Sequence, residues 1–111
     1  MAQRFGNIVV DIAKLGDYCL SDIHPRGRHK ARVFRWRLGL TAVDAELLRQ
    51  SLFNAARNRQ DDFQATDSDE HGQRYILDFP MTTAAGTATI RSAWIVVAGQ
   101  NVLQLISCYV L

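Results

Sequence analysis

Residues 87–110 read TATIRSAWIVVAGQNVLQLISCYV, and this stretch decides the fold. Apolar and β-branched residues fill both halves, and Gly99-Gln100-Asn101 separates them. Two apolar runs joined through a short glycine-containing break predict a β-hairpin with strands at 87–98 and 102–110. No charge occurs between Ser92 and Leu111. The polar interruption and the β-branched content nevertheless argue for two strands and against a membrane span. Upstream, Arg74 to Phe79 predicts another strand, stopped at Pro80 because proline has no ladder N–H. Asn7 to Val10 is apolar enough to add a short initial strand.

Ahead of these strands the apolar period is helical. Asp11 is placed to cap a helix with Ile12, Leu15 and Cys19 on one face, ending near Leu20 and Ser21. His24-Pro25-Arg26-Gly27 reads as a turn. A second helix starts at Arg28, carries Ala31, Phe34 and Leu38 inward, and stops at Gly39, a natural left-handed cap. Thr41-Ala42-Val43-Asp44 resembles a capping box with Asp in place of Glu. It opens a third helix with Val43, Leu47, Leu48, Ser51, Leu52 and Ala55 along one stripe, running out near Asn58. Residues 59–72, RQDDFQATDSDEHG, read as a polar loop. Trp36 and Trp94 read as packing residues. Helices first and strands afterwards predict a single α+β domain over residues 1–111, with N-terminal helices packed on a curved antiparallel sheet of about four strands.

Composition sets the outer bounds. Apolar residues make up 48% of 111 and charged residues 22%, which excludes a disordered polymer or a collagen-like repeat. A chain of this length buries enough surface to fold without a metal or disulfide. Cys19 and Cys108 lie far apart with no CxxC spacing, which excludes a zinc ribbon and a thioredoxin-like motif. The first residues hold no apolar signal-peptide core, so the expected setting is cytoplasmic, with both cysteines as buried thiols.

The net charge is only +2, but it is segregated. From His24 to Arg37 there are six basic residues, two histidines and no acid; from Asp61 to Glu70 there are five acids and no base. Eleven of the thirteen basic residues are arginine, whose planar fork suits phosphate. An anionic partner at the basic segment is one reading. Basic and acidic stretches that face each other or water are the other.

Phosphate-binding glycine loops and HExxH are absent, and His24 and His29 are poorly spaced for one metal, so neither metal nor cofactor is expected. The segment HPRGRHKARVF (24–34) would place a turn histidine, arginines and a lysine around one anion at a helix start. A solvated basic helix face is the plainer alternative. Arg91, the lone charge from Phe79 to Leu111, must be paired at an edge or in a cleft, because an unpaired buried guanidinium is costly. Strand alternation puts Gln104, Ile106, Cys108 and Val110 on one side and Leu105, Ser107 and Tyr109 on the other.

Five segments, KLGDYCLS, HPRGRHKARVF, LGLTAVDAELL, IRSAWIVVAG and LQLISCYVL, resemble a small bacterial family of uncharacterised domains. Its pattern is KLxxYLL, HPxGxxKAxFF, RTAWII and a terminal TAYP. The arrangement also resembles the barnase/EndoU/colicin/RelE-like group of RNase toxins. The resemblance implies a site made of His24, Lys30, Arg91, Ser107 and Tyr109, with Ser107 standing for the threonine of TAYP. Ser92 replaces the threonine of RTAW, Cys108 replaces alanine, and Val110 stands where the terminal proline is usual.

The expected activity is therefore that of a metal-independent endoribonuclease of bacterial toxin type. RNA supplies its own nucleophile, the 2′-OH, and a 2′,3′-cyclic phosphate results. His24 would transfer the proton; Lys30, Arg26 or Arg28, and Arg91 would stabilise negative charge; and Ser107 and Tyr109 would hold the scissile phosphate. Arg26, Arg28 and Arg32 would bind flanking phosphates. The partners expected are RNA (tRNA or ribosome-bound RNA) and a cognate antitoxin or immunity protein, with no membrane. A non-catalytic nucleic-acid- or ribosome-binding module and an antitoxin-like protein-interaction domain remain as other readings.

Overall fold

The computed structural model describes residues 5–21 and 28–111. Five strands form one sheet in the order β1-β5-β4-β3-β2, with β1 at Asn7–Val9, β2 at Gln64–Asp69, β3 at Gly72–Thr83, β4 at Gly86–Val97 and β5 at Val102–Val110. The helices are α1 (Ile12–Lys14), α2 (Arg28–Leu38) and α3 (Ala45–Asn58). The α+β class stands, but the sheet is mixed: β1 runs parallel to β5 and the other pairs are antiparallel. The expected count of about four becomes five because β2 lies within the predicted loop.

That strand was hidden by its chemistry. All six residues of β2 are exposed, so no apolar alternation marks it; it pairs with β3 through the backbone. A turn at Glu70 and His71 joins the two, the Asp69 carboxylate accepting from the His71 amide at 2.9 Å. Gly72 follows at φ 146, and a Cβ there would run into the Val96 carbonyl. The acids face their own hairpin: Arg74 donates to Asp67 at 3.1 Å and to Asp69 at 3.0 Å.

Pro80 does not stop β3, which continues to Thr83. Opposite it, Thr89 gives its carbonyl to the Leu111 amide on the β5 side at 2.9 Å, so Thr89 and Pro80 form a pair without mutual hydrogen bonds. The missing proline N–H therefore points to the side of β3 that β2, paired only as far as Ile76, leaves open.

One face of the sheet carries Leu77, Phe79, Ile90, Trp94, Leu103, Leu105, Cys108 and Val110 into a common core with Leu15, Phe34, Leu38, Leu48 and Leu52 of the helical half. Ser92 is the polar member of this layer. Its hydroxyl donates to the Leu77 carbonyl at 2.6 Å and accepts from the Trp94 indole at 2.8 Å, so both buried polar groups are satisfied.

The helical half departs from expectation in three places. Asp11 does cap α1, accepting from the Ala13 amide at 3.0 Å, but after Lys14 the chain widens into a π-helical turn, Leu15–Cys19. Leu15 and Cys19 are buried there, while Ile12 is exposed. Asp44 accepts from the Thr41 amide at 2.9 Å and starts a 3-10 turn, Ala42–Asp44, ahead of α3. Val43 sits in that turn, out of phase with the α3 stripe, and is exposed; Leu47 is also exposed. Trp36 is 79% exposed on α2 and packs no core, whereas Trp94 is fully buried. Gly39 ends α2 at φ 67, with its amide on the Arg35 carbonyl at 2.9 Å. The expected turn at residues 24–27 lies outside the described residues.

Candidate functional site

The face of the sheet opposite the core carries the candidate site. Asp78 on β3, Arg91 on β4 and Tyr109 on β5 stand in one row across three strands. Arg91 donates from Nε to Asp78 Oδ1 at 2.9 Å and from Nη2 to Asp78 Oδ2 at 2.8 Å. The requirement that Arg91 be paired is thus met by a carboxylate directly opposite. The guanidinium holds the Asp78 carboxyl below its usual range, and Asp78, then the Tyr109 hydroxyl, push Arg91 further into its protonated form. Asp78 was missed in the sequence, although counting back from the β3–β4 turn finds it. It precedes Thr83 by five residues and Arg91 follows Gly86 by five.

A β-bulge puts Tyr109 in this row. Ala93 pairs with Ser107 and Trp94 with Leu105, so Ile106 is the extra residue on β5. The bulge reverses the alternation beyond it. Leu105 therefore lies on the core face with Cys108 and Val110, while Ser107 and Tyr109 turn to the Arg91 face. This corrects the sequence grouping of Leu105 with Ser107 and Tyr109; the two hydroxyl residues still share a side.

The outer edge of β5 is covered by β1 only from Val102 to Gln104. Lys14 then reaches the Leu105 carbonyl at 3.5 Å. Beyond that point α2 approaches, and Lys30 places Nζ over the Tyr109 ring, 5.1 Å from its centroid. A cation held against a phenol ring is a cation–π contact that orients both groups. Lys30 is half-buried, while Arg28 and Arg32 on the same helix are exposed.

Next to Tyr109 on β5, Cys108 and Ser107 meet Cys19 of the π-helical turn. Cys19 and Cys108 are free thiols, both fully buried. The Cys108 side chain donates to Cys19 and lowers that thiol to about 7 against the opposing effect of burial, with the Ser107 hydroxyl and the Lys30 charge adding smaller help. Cys108, sharing that proton, is pushed up. Ser107 Oγ is buried and has no hydrogen-bond partner among the described residues, although it lies near enough to favour ionised Cys19. Its oxygen is shielded from solvent and opens on no cleft.

The structure therefore brings Lys30, Arg91 and Tyr109 together, with Ser107 next to Tyr109's strand neighbour Cys108. Arg28 and Arg32 lie two residues either side of Lys30 and so point away from this group, and His24 and Arg26 lie outside the described residues. No group of three His, Cys, Asp or Glu side chains is placed to hold a metal among the described residues. No helix among them is long and apolar enough to cross a membrane.

These features define an α+β domain in which a basic helix lies against a tyrosine-bearing strand. The chain belongs to a family of domains of unknown function, DUF6883, whose model matches residues 2–111. No curated protein and no solved structure matches it.

Proposed function

We propose that this domain is a metal-independent endoribonuclease of toxin type, built on the plan of the barnase/EndoU/colicin/RelE-like domains it resembles. The observation that supports this most is the meeting of Lys30, Arg91 and Tyr109 at one strand edge, from a helix and two strands distant in sequence. RNA cleavage by its own 2′-OH needs only proton transfer and charge stabilisation. The 2′-oxygen bonds to phosphorus, the 5′-oxygen leaves, and a 2′,3′-cyclic phosphate remains. Lys30 offsets the charge that builds on the phosphorane-like transition state, and the Tyr109 hydroxyl, ordered by Arg91, donates to a phosphate oxygen. His24, four residues before α2 begins, transfers the proton. Ser107 shapes the strand beneath Tyr109.

RNA in the cytoplasm of the producing or a neighbouring cell, whether tRNA or ribosome-bound, is the substrate on this reading. A cognate antitoxin or immunity protein is the matching partner. One observation favours a second reading: Arg91 is already neutralised by Asp78, which suits a binding module that holds RNA without cutting it. Incubating purified protein with total RNA and weighing the new 3′ ends separates the two. Cyclic phosphate ends that disappear in His24→Ala support the nuclease. No cleavage, or cleavage that His24→Ala leaves intact, discards it.

A further inference from the structure

An exposed tryptophan on a cationic helix calls for a physical explanation. Trp36 is 79% exposed, in a domain that buries Trp94 completely. It lies opposite the buried residues of α2, which are Ala31, Phe34 and Leu38. The spacing Arg28, Arg32, Trp36 is i, i+4, i+8, which puts two exposed guanidinium groups and the indole along one stripe. Successive members are about 6 Å apart along the helix axis. The helix holds five Lys and Arg residues and no acid, so this face attracts polyanions and repels basic surfaces.

We infer that this stripe is a binding subsite for single-stranded RNA, with phosphates on Arg28 and Arg32 and an unpaired base stacked on Trp36. The inference rests on the RNA reading above and narrows it to the form of substrate. Indole offers a flat π surface to any base, and stacking needs a base already released from pairing. The bases of a duplex are stacked on each other and cannot reach the ring, so a duplex would use the arginines alone. Lys30, two residues from both Arg28 and Arg32, lies about 200° round the helix from Arg28, so this subsite is on the side of α2 away from the Lys30–Tyr109 contact.

The test uses a short 2′-O-methyl oligonucleotide, which cannot be cut, as a single strand and as a duplex. The chain has two tryptophans and Trp94 is shielded, so the solvent-exposed emission reports Trp36. The single strand should quench that emission and the duplex should not. Trp36→Ala should weaken single-strand binding about 5- to 150-fold, the range expected for one base stack. Trp36→Phe should restore most of it, and thermal melting should be unchanged in both variants. Wild-type affinity in Trp36→Ala, or equal quenching by the duplex, overturns the subsite while leaving the RNA reading intact. If wild type binds neither form, the RNA reading itself falls. An acidic protein partner that no longer binds Trp36→Ala, with RNA affinity unaltered, would reassign the face to protein docking and also overturn the inference.

Discussion

Asp78 and Arg91 are opposed residues of neighbouring strands, joined by two parallel hydrogen bonds of 2.9 and 2.8 Å. The two-toothed geometry fixes the plane of the guanidinium, and with it the group against which the Tyr109 hydroxyl rests. Both side chains are about a third exposed, at 38% and 35%, so solvent screens the pair. Its role is orientation more than stability.

Asp78→Asn should accordingly cost only about 1 kcal/mol at neutral pH, as expected for a partly exposed pair. The carboxyl is held below its usual 3.8, so the pair's contribution is complete above that value. It fades as pH falls through the lower folded value. Urea unfolding of wild type and Asp78→Asn should differ at pH 7 and converge in strong acid. A gap that persists in acid would show that the loss comes from something other than this ionisation.

Removing the Lys30 charge should reduce RNA cleavage about 100-fold or more, the usual scale for a group that stabilises transition-state charge. Lys30→Arg should recover part of the rate. Tyr109→Phe keeps the ring under Lys30 and tests the hydroxyl alone. His71→Ala, exposed in the β2–β3 turn, serves as the control. Cleavage should continue in excess chelator. Single-turnover rates on a defined RNA check each case, and full activity in Lys30→Ala removes the cation from the mechanism.

Charge reversal at Arg28 and Arg32 should flatten the salt dependence of RNA affinity by about one unit of slope for each phosphate that is no longer neutralised. Both residues are exposed, so the fold should survive. Titrations at several salt concentrations give the slope directly. An unchanged slope in a folded double variant places the RNA elsewhere.

Ser92→Val should destabilise the domain by about 1–3 kcal/mol, because the buried Trp94 indole N–H would lose its acceptor. Denaturant unfolding measures this. A neutral result would mean that the indole finds another partner.

The β3–β5 meander was legible because its β-branched runs and glycine break point the same way at every level. Strand β2 was not: QATDSD has no apolar phase to read, and only the adjacent strand makes it a strand. Lys30, Arg91 and Tyr109 were all legible as candidates. Their meeting was not, since it depends on an inserted residue at Ile106 that alternation cannot reveal. The exposure of Trp36 was readable by helical counting from Ala31, Phe34 and Leu38, yet bulk apolarity suggested burial instead. Val43 misled because a 3-10 turn does not keep the phase of the helix it precedes.

The extra residue at Ile106 makes the last strand two strands spliced out of phase. Below the splice, odd-numbered positions supply the core; above it, even-numbered ones do. Hydrophobic repacking in either half can therefore drift freely without rotating Tyr109. Closing the bulge with Ile106 kept, so that Ile106 paired with Ala93, would swing the phenol and the serine into the interior and turn Cys108 and Val110 outward. Deleting Ile106 would instead leave a regular ladder with Tyr109 still beside Arg91. What holds the phenol on its face is thus the looping-out of one residue, not the alternation of the strand as a whole.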